Sequence, residues 1–474
     1  MTSFVRRRAP ALRPAPDSRP AGRFRFAVVV IAGAAFITSL TQALVVPVLP
    51  ALPRELNVPA ATAGWLITVT VIVGAVANPL LGRLGDQLGR RRLLLVAIAA
   101  FVVGSVVCAV TTDFGVLLAG RAIQGLSTAS IPLGIGVIAG IVPPSRRPSG
   151  IALVSAMLGV GGAAGLPLAG VLAAGWGLAG VFWTSAVVGA AVLVATALLV
   201  PPDARPAGGA HDVDWFGALL LTAGLTTLLI PISQAARWGW GSPATIGLFT
   251  AAVLVLLSFS VFELRRRHPI VDLRLAMLPP VLLTNVAGLA LGAGFFISFL
   301  AAMTLLQLPA DEAGGFGRPV IEAGLLMLPG GVAMAVSAPL GARLVSRHGG
   351  RAALRVAALA VVLGFAPQLF PREGLWQLVL STVIVSGGVA VAYSAMPALI
   401  LAATPAPQAA AASGVNALAR NLGSALGSAG FGLLAGATAP AGDGYTTLYL
   451  AGAVSATIAF LAAVALPRSR TNLT

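Results

Sequence analysis

The sequence predicts an all-α membrane protein whose 14 transmembrane helices form two six-helix bundles with two linker helices inserted between them. Its composition is 58% hydrophobic and only 9% charged, whereas a soluble domain carries about 25% charged residues. Apolar runs of about 20 residues, the length of a membrane-spanning helix, recur along the 474 residues. A pattern of six residues also occurs twice, as expected for two homologous bundles.

The apolar runs fall into three groups along the chain. The first run, at 26–52, is too long for a signal-peptide core and ends without a small-residue cleavage site, so it counts as a span. The predicted spans cover residues 26–52, 62–82, 93–111, 115–139, 151–173, 180–200, 215–233, 244–262, 280–305, 322–345, 353–370, 375–402, 411–437 and 446–466. The predicted domains are an arginine-rich tail at 1–25, an N-terminal bundle at 26–200, a linker with two extra helices at 201–279, a C-terminal bundle at 280–466 and a tail at 467–474.

The arginines predict the orientation of the spans. With the N-terminus inside, 24 of the 30 arginines lie in cytoplasmic segments and 4 lie in outside loops. Positive residues accumulate on the cytoplasmic side of membrane proteins, so both termini are predicted to be cytoplasmic. Because the arginines lie beside spans, topology explains the net charge of +16 better than a nucleic-acid partner does.

An internal repeat relates the ends of spans 2 and 10. The offset between the two copies is 260 at all six positions. The first copy consists of Pro79, Leu80, Arg83, Leu84, Gly89 and Arg91, and the second of Pro339, Leu340, Arg343, Leu344, Gly349 and Arg351. This repeat groups the first six and the last six spans as homologous bundles.

The loop GRLGDQLGRRR at 82–92 joins spans 2 and 3. Its glycines permit a tight turn, and Asp86 can pair with a nearby cation or with a helix N-terminus of the other bundle. We therefore predict a conformational latch formed by Gly82, Asp86, Gly89, Arg90 and Arg91. Anchoring by positive charge alone would explain the arginines, but not Asp86 or the glycine spacing. Because Ser346 replaces Asp86 in the second copy, the latch should be asymmetric.

Two arginines, Arg121 in span 4 and Arg420 in span 13, lie well inside apolar runs. A charged side chain at mid-bilayer costs at least about 2.5 to 3.5 kcal/mol, so both should face a wet cavity. A structural anchor that bonds backbone carbonyls is the alternative for each. The further cavity or coupling candidates are Thr38, Gln42, Asn78, Gln124, Asn285, Tyr393 and Asn416. Each of these could instead serve packing, but together they predict an apolar cavity with scattered polar groups.

Span 5 contains Gly161 and Gly165 at small-xxx-small spacing, followed by Pro167. Such glycines let helices approach closely, and proline allows a bend. The pattern predicts a helix-bending element, with ordinary close packing as the alternative.

Several of these segments resemble the major facilitator superfamily. The 82–92 loop matches its signature between helices 2 and 3, and LLAGRAIQG, with Arg121 and Gln124, is similar to its helix 4 signature. The run GVGGAAGLPLAG at 159–170 resembles its antiporter motif, although Leu166 stands where that motif has glycine. The predicted spans and DWFGALLLTAGL at the start of span 7 resemble the fourteen-helix drug:proton antiporter branch.

The resemblance implies a secondary active transporter of the bacterial cytoplasmic membrane. It would export hydrophobic or amphipathic small molecules, such as drugs, antibiotics or secondary metabolites, by alternating access coupled to protons. A metabolite facilitator or importer of the same fold is the alternative. No acid lies deep in a span, so carboxylates for a proton relay are few, with Asp113 and Glu322 the nearest candidates.

The sequence lacks the motifs that other functional classes would require. It has no metal pair of the HEXXH type, no nucleotide loop of the GxxxxGK[ST] type and one cysteine. A membrane-embedded enzyme or a sensor is therefore a remote alternative. We expect no catalytic, cofactor or metal site and no ATP or nucleic-acid partner. The expected partners are a small-molecule substrate, protons and the lipid bilayer.

Overall fold

The computed structural model is helical throughout the part of the chain that it describes. It describes residues 21–45, 58, 62, 65–143, 146–202, 214–266, 269–310, 315–370, 374–405, 408–438 and 444–467. The helices are α1 Ala21–Val45, α2 Trp65–Leu88, α3 Arg90–Val110, α4 Phe114–Gly125, α5 Ser130–Ile141, α6 Arg147–Leu199, α7 Trp215–Trp238, α8 Pro243–Arg265, α9 Leu273–Ala276, α10 Pro279–Gln307, α11 Val320–Phe365, α12 Leu375–Ala403, α13 Ala409–Thr438 and α14 Gly444–Ala465.

Glycines divide two of these helices into pairs of legs. Gly177 interrupts α6 with a φ of 61°, and Gly349 interrupts α11 with a φ of 82°. Glycine adopts such left-handed backbone angles without the steric cost that other residues meet. Each of these helices therefore holds two predicted spans. A 3₁₀ turn, Leu126–Ala129, joins α4 to α5 within the predicted span 4.

The sequence repeat has a counterpart in local structure. Gly89, which separates α2 from α3, has a φ of 110°, and its repeat partner Gly349 divides α11 with a φ of 82°. Arg91 Nη2 donates to the carbonyl of Ala197 at 2.6 Å, near the end of α6. Arg351 Nη2 donates to the carbonyl of Val464 at 3.2 Å, near the end of α14. In both halves, an arginine thus satisfies a carbonyl at a helix C-terminus.

The described residues form two large hydrophobic cores and three smaller clusters. One large core draws on α1, α2, α3, α5 and α6, and the other on α10, α11, α12 and α14. One of the smaller clusters joins α7, α8 and residues 270–271 to Ile72 of α2 and Leu418 of α13. The linker helix α7 therefore packs over the seam where α2 meets α13.

The outer surface is apolar, as a lipid-facing surface requires. Large hydrophobic side chains such as Val103, Leu198, Val253 and Leu461 are exposed, whereas soluble monomers rarely expose large contiguous apolar patches. Ten helices in the described part of the chain are long and apolar enough to cross a membrane. One of these ten is the 48-residue stretch Ile321–Gln368, which Gly349 divides.

Candidate functional site

Asp86, in the last turn of α2, connects the two halves of the molecule. Its Oδ1 accepts a hydrogen bond from Arg90 Nε at 2.8 Å, and its Oδ2 accepts one from the backbone N–H of Ala411 at 2.9 Å. The Asp86 side chain is only 2% exposed. Ala411 is the third residue of α13, so the carboxylate satisfies an N–H group at the positive end of that helix.

The loop around Asp86 is shaped by its glycines and arginines. Gly85 packs directly on the Leu133 side chain, which would have to shift to admit a Cβ at Gly85, and Gly82 is buried within α2. Arg90 also donates from Nη1 to the carbonyl of Gly136 in α5 at 3.0 Å. Arg90 thereby ties the Asp86 carboxylate to its own half while Asp86 contacts the other half.

In the described part of the chain, no such bridge is found at the second copy of the loop. Ser346 is exposed, and its hydroxyl donates to the nearby Arg343 carbonyl at 2.9 Å. The described contact of the Ser346 hydroxyl therefore lies within its own helix, whereas Asp86 reaches the other half.

Two turns before Asp86, α2 contacts α13 through backbone atoms. Gly414 of α13 lies against the carbonyl of Asn78, and a Cβ at Gly414 would come within 3.1 Å of Pro79 Cα. Asn78 is buried, and its Oδ1 accepts no hydrogen bond from any described residue. The two halves therefore touch directly along this seam as well as at the Asp86 bridge.

Arg121 is bound entirely within the first half. It is 1% exposed, and its Nε donates to the carbonyl of Leu66 at 3.1 Å. Its Nη1 donates to Gln124 Oε1 at 2.8 Å, and Gln124 Nε2 donates to Ser105 Oγ at 2.7 Å. These bonds join α2, α3 and α4, so the geometry favours the anchor interpretation of Arg121 over a cavity residue.

Thr38 and Gly161 also occupy packing positions. Thr38 Oγ1 donates to the Ala34 carbonyl at 2.9 Å and lies 3.2 Å from Ser130 Oγ. Gly161 lets α6 approach α1, since a Cβ there would lie 3.0 Å from Leu40 N. Gly165 is buried. The side chains of Gln42 and Pro167 lie outside the described part of the chain.

Arg420 has a different environment from Arg121. It is 8% exposed, and its guanidinium carbon lies 4.4 Å from the centroid of the Tyr393 ring. No described carboxylate pairs with Arg420, and no described acceptor receives a hydrogen bond from its guanidinium. One turn earlier, Asn416 Nδ2 donates to Asn285 Oδ1 at 3.1 Å. We call Arg420, Tyr393, Asn416 and Asn285 the Arg420 cluster.

Glycines bring α10 and α13 together and so position the Arg420 cluster. Gly423 packs on the carbonyl of Leu289, and Gly292 packs on the carbonyl of Arg420 itself. A Cβ at Gly288 would lie 3.2 Å from both Arg420 Cγ and Asn416 Nδ2. On α10, the rings of Phe295 and Phe299 stack with centroids 6.4 Å apart.

The Arg420 cluster holds a largely desolvated cation without an anionic partner in the described part of the chain. A cation over an aromatic face gains about 0.5 to 2 kcal/mol, far less than the cost of burying an unpaired charge. An anionic ligand would supply the missing partner. Arg121 differs from Arg420, because its Nε and Nη1 donate to the Leu66 carbonyl and to Gln124 Oε1.

Three groups in the structure were not predicted as functional candidates from the sequence: Ala411, Asp214 and Glu263. Ala411 contributes a backbone N–H, which has no sequence signal. Asp214 and Glu263 are buried acids at the ends of the linker helices, 7% and 2% exposed. Acids at helix ends are ordinarily solvated, so their positions in the sequence offered no reason to select them.

An all-helical chain with an apolar exterior and two halves of repeated local structure has the architecture of a secondary transporter. The chain belongs to the Major Facilitator Superfamily, whose sequence profile matches residues 31–428 and 290–474. The predicted family is therefore confirmed, and the protein is a multi-pass membrane transporter.

Its relatives include two Streptomyces proteins that are named for transport or export. It is 32% identical over 458 residues to the probable actinorhodin transporter of Streptomyces coelicolor, covering 91% of this chain and 78% of that protein. It is 28% identical over 427 residues to the tetracenomycin C resistance and export protein of Streptomyces glaucescens, covering 88% and 77%. Among solved structures it resembles the human organic anion transporter, with a TM-score of 0.65 and 20% identity over 95% of this chain and 100% of that chain. The last similarity concerns the fold alone.

Proposed function

We propose that the protein exports anionic or hydroxylated aromatic small molecules across the bacterial cytoplasmic membrane. The Arg420 cluster is the observation that carries this proposal, because a buried guanidinium without a carboxylate partner favours a ligand of negative charge. The relatives named as a probable actinorhodin transporter and as a tetracenomycin C resistance and export protein support an antibiotic or other secondary metabolite as the substrate.

The charge preference follows from Coulomb's law. A cationic ligand about 8 Å from one guanidinium would be repelled by roughly 2 kcal/mol at an effective dielectric constant near 20. An anion at the same distance would gain a similar amount. Arg121 donates to Leu66 and Gln124 within its own half, so we propose Arg420, rather than both arginines, as the residue that contacts the ligand.

The transporter would work by alternating access between two bundles, 26–200 and 280–466, with 201–279 as the linker. We propose fourteen spans, both termini in the cytoplasm and membership of the drug:proton antiporter branch. The split of 24 arginines against 4 supports the cytoplasmic placement of the face that carries Asp86. Proton coupling is the expected driving force.

In this mechanism Asp86 acts as a latch on the cytoplasmic face. Its bonds to Arg90 and to the Ala411 N–H are formed in the structure, and α2 and α13 touch at Asn78 and Gly414. Opening toward the cytoplasm would break the Asp86 to Ala411 bond and separate the α2 to α13 seam. Closing the cytoplasmic face would restore the charge-assisted bond between Asp86 and the Ala411 N–H, and this step requires no contact between the substrate and Asp86.

Efflux from cells that overexpress the protein tests the proposal. An acidic aromatic dye and a quaternary ammonium dye of similar size would be compared, with and without an uncoupler. The wild type should export the acidic dye preferentially, and the uncoupler should reduce this export. Arg420→Gln should shrink the preference several-fold, while Arg420→Lys, which keeps the charge, should retain most of it. Preferential export of the cationic dye by the wild type would overturn the proposed substrate class.

A further inference from the structure

Two buried acids lie side by side where the linker helices meet. Asp214 precedes α7, and Glu263 lies in the last turn of α8. A Cβ placed on Gly217 would lie 2.9 Å from Glu263 Oε1 and 3.1 Å from Asp214 Oδ2. The two carboxylate oxygens are therefore at most about 6 Å apart. The absence of a side chain at Gly217 leaves the space that both carboxylates occupy.

The hydrogen bonds of this pair leave one buried acceptor unfilled. Both oxygens of Glu263 accept from the backbone N–H of Ile270, each at 3.2 Å. Asp214 Oδ1 accepts from the N–H of Gly217 at 2.9 Å. Asp214 Oδ2 is buried and accepts no hydrogen bond from the part of the chain that the structure describes. Buried oxygens of this kind nearly always have a donor.

Cations near the pair compensate its charge incompletely. Arg266 Nε lies 3.3 Å from Asp214 Oδ2, but the Arg266 side chain is 52% exposed. Arg83 of α2 attracts Glu263 electrostatically. Asp272, on the segment that packs against Glu263, is engaged with the N–H groups of Arg274 and Leu275. Arg267 and His268 lie outside the described part of the chain.

We propose that Asp214 and Glu263 together form a proton-binding site at the cytoplasmic face. The proton comes from the cytoplasmic solvent and adds to a carboxylate oxygen of Glu263, and no other covalent bond changes. The new O–H can donate toward Asp214 Oδ2, which then has the donor it lacks. Neutralising one carboxylate also removes the repulsion between two negative charges held close together in a poorly solvated place.

The site is linked to the transport machinery through Ile270. Ile270 and Val271 are buried in the cluster that includes Ile72 of α2 and Leu418 of α13. The same segment borders a cleft lined by Arg83 and Ala411, and Ala411 is the residue that Asp86 holds. Because a charged acceptor forms a stronger bond than a neutral one, protonation of Glu263 loosens this segment and eases the separation of α2 from α13.

This inference rests on the proposed transport function, so its test separates the two. Substrate exchange would be measured in everted membrane vesicles, whose cytoplasmic face is open to the bath, with the pH of bath and lumen lowered together so that no proton gradient forms. Exchange by the wild type should rise several-fold with acidification. Glu263→Gln and Asp214→Asn should each flatten this response, and Glu263→Gln should be fast at every pH. His268→Gln is the matched control and should keep the wild-type response, since histidine also titrates near neutral pH.

A second readout does not require transport. Infrared difference spectra of the purified protein should show a protonated carboxyl band that grows as the pH falls and is lost in Glu263→Gln. Exchange that is independent of pH in the wild type, or an unchanged response in Glu263→Gln, would refute the proton site while leaving export intact. Absence of all exchange together with the expected infrared band would instead refute the export function and keep the proton site.

Discussion

The two halves of the transporter use their buried charges differently. In the first half, Arg121 is bonded to a carbonyl and to Gln124, and Asp86 is paired with Arg90. In the second half, Ser346 stands at the repeat position of Asp86, and the described neighbour of the Arg420 guanidinium is an aromatic ring and not a hydrogen-bond acceptor. The buried charges of the first half are therefore held by hydrogen bonds, whereas the guanidinium of Arg420 has no such bond in the described part of the chain.

The largest expected effect separates the two buried arginines by stability. Arg121→Leu would leave Gln124 Oε1 without its described donor, and an unsatisfied buried acceptor costs about 1 to 3 kcal/mol. It would also remove one of the donors to the Leu66 carbonyl, which accepts from Thr70 Oγ1 as well. We expect a loss of about 2 kcal/mol or more, seen as a lower thermal unfolding midpoint in detergent. Arg420→Leu removes no described hydrogen bond of the side chain and should change stability by about 1 kcal/mol or less. Equal losses of stability in Arg121→Leu and Arg420→Leu would contradict the proposal that the two arginines have different structural roles.

The latch provides the next comparison, between Asp86 and Ser346. Asp86→Asn removes the charge that faces Arg90 and the N-terminus of α13, so substrate turnover should fall several-fold while membrane insertion stays normal. Ser346→Ala, at the matched repeat position, should transport at the wild-type rate. Turnover would be measured with reconstituted protein at equal amounts. Wild-type turnover in Asp86→Asn would show that the loop is not a latch and serves only as a positive-charge anchor.

The smallest expected effect tests the equivalence of the repeats. Gly89→Ala and Gly349→Ala each force a side chain into a left-handed conformation, at about 1 to 2 kcal/mol. Similar falls in the unfolding midpoint are expected for both variants. Gly247→Ala, a helical position with open space around it, should be neutral or slightly stabilising. A loss confined to one of the two repeat positions would show that the turns are not equivalent.

Much of the fold could be predicted from the sequence, because apolar length and the 260-residue repeat are visible without coordinates. The helical fold is confirmed in the described part of the chain, and the family is confirmed. The number of spans that cross the membrane stays a prediction. The candidate site was less accessible to sequence reasoning, since Arg121 and Arg420 give the same signal. Their difference arises from neighbours, Gln124 on the same helix for one and Tyr393 on another helix for the other.

The environments of the two linker acids could not be predicted from the sequence either. Asp214 and Glu263 lie at helix ends, where sequence position predicts contact with water. Burial follows only when residues 269–272 fold back over Glu263 and Ile270 donates to it. The partner of Asp86 was equally hidden, because any residue near the start of a helix could supply the N–H that Ala411 donates. Long-range backbone contacts of this kind depend on the packing of whole helices.

The position of α7 makes the two sides of the transporter unequal toward the bilayer. Its apolar face packs on α2 and on α13 at once, so it covers the line along which those helices meet. A lipid-dissolved molecule cannot slip between α2 and α13 without first displacing α7. A compound that enters the transporter from the lipid phase must therefore use a route other than the α2 to α13 seam, which α7 covers.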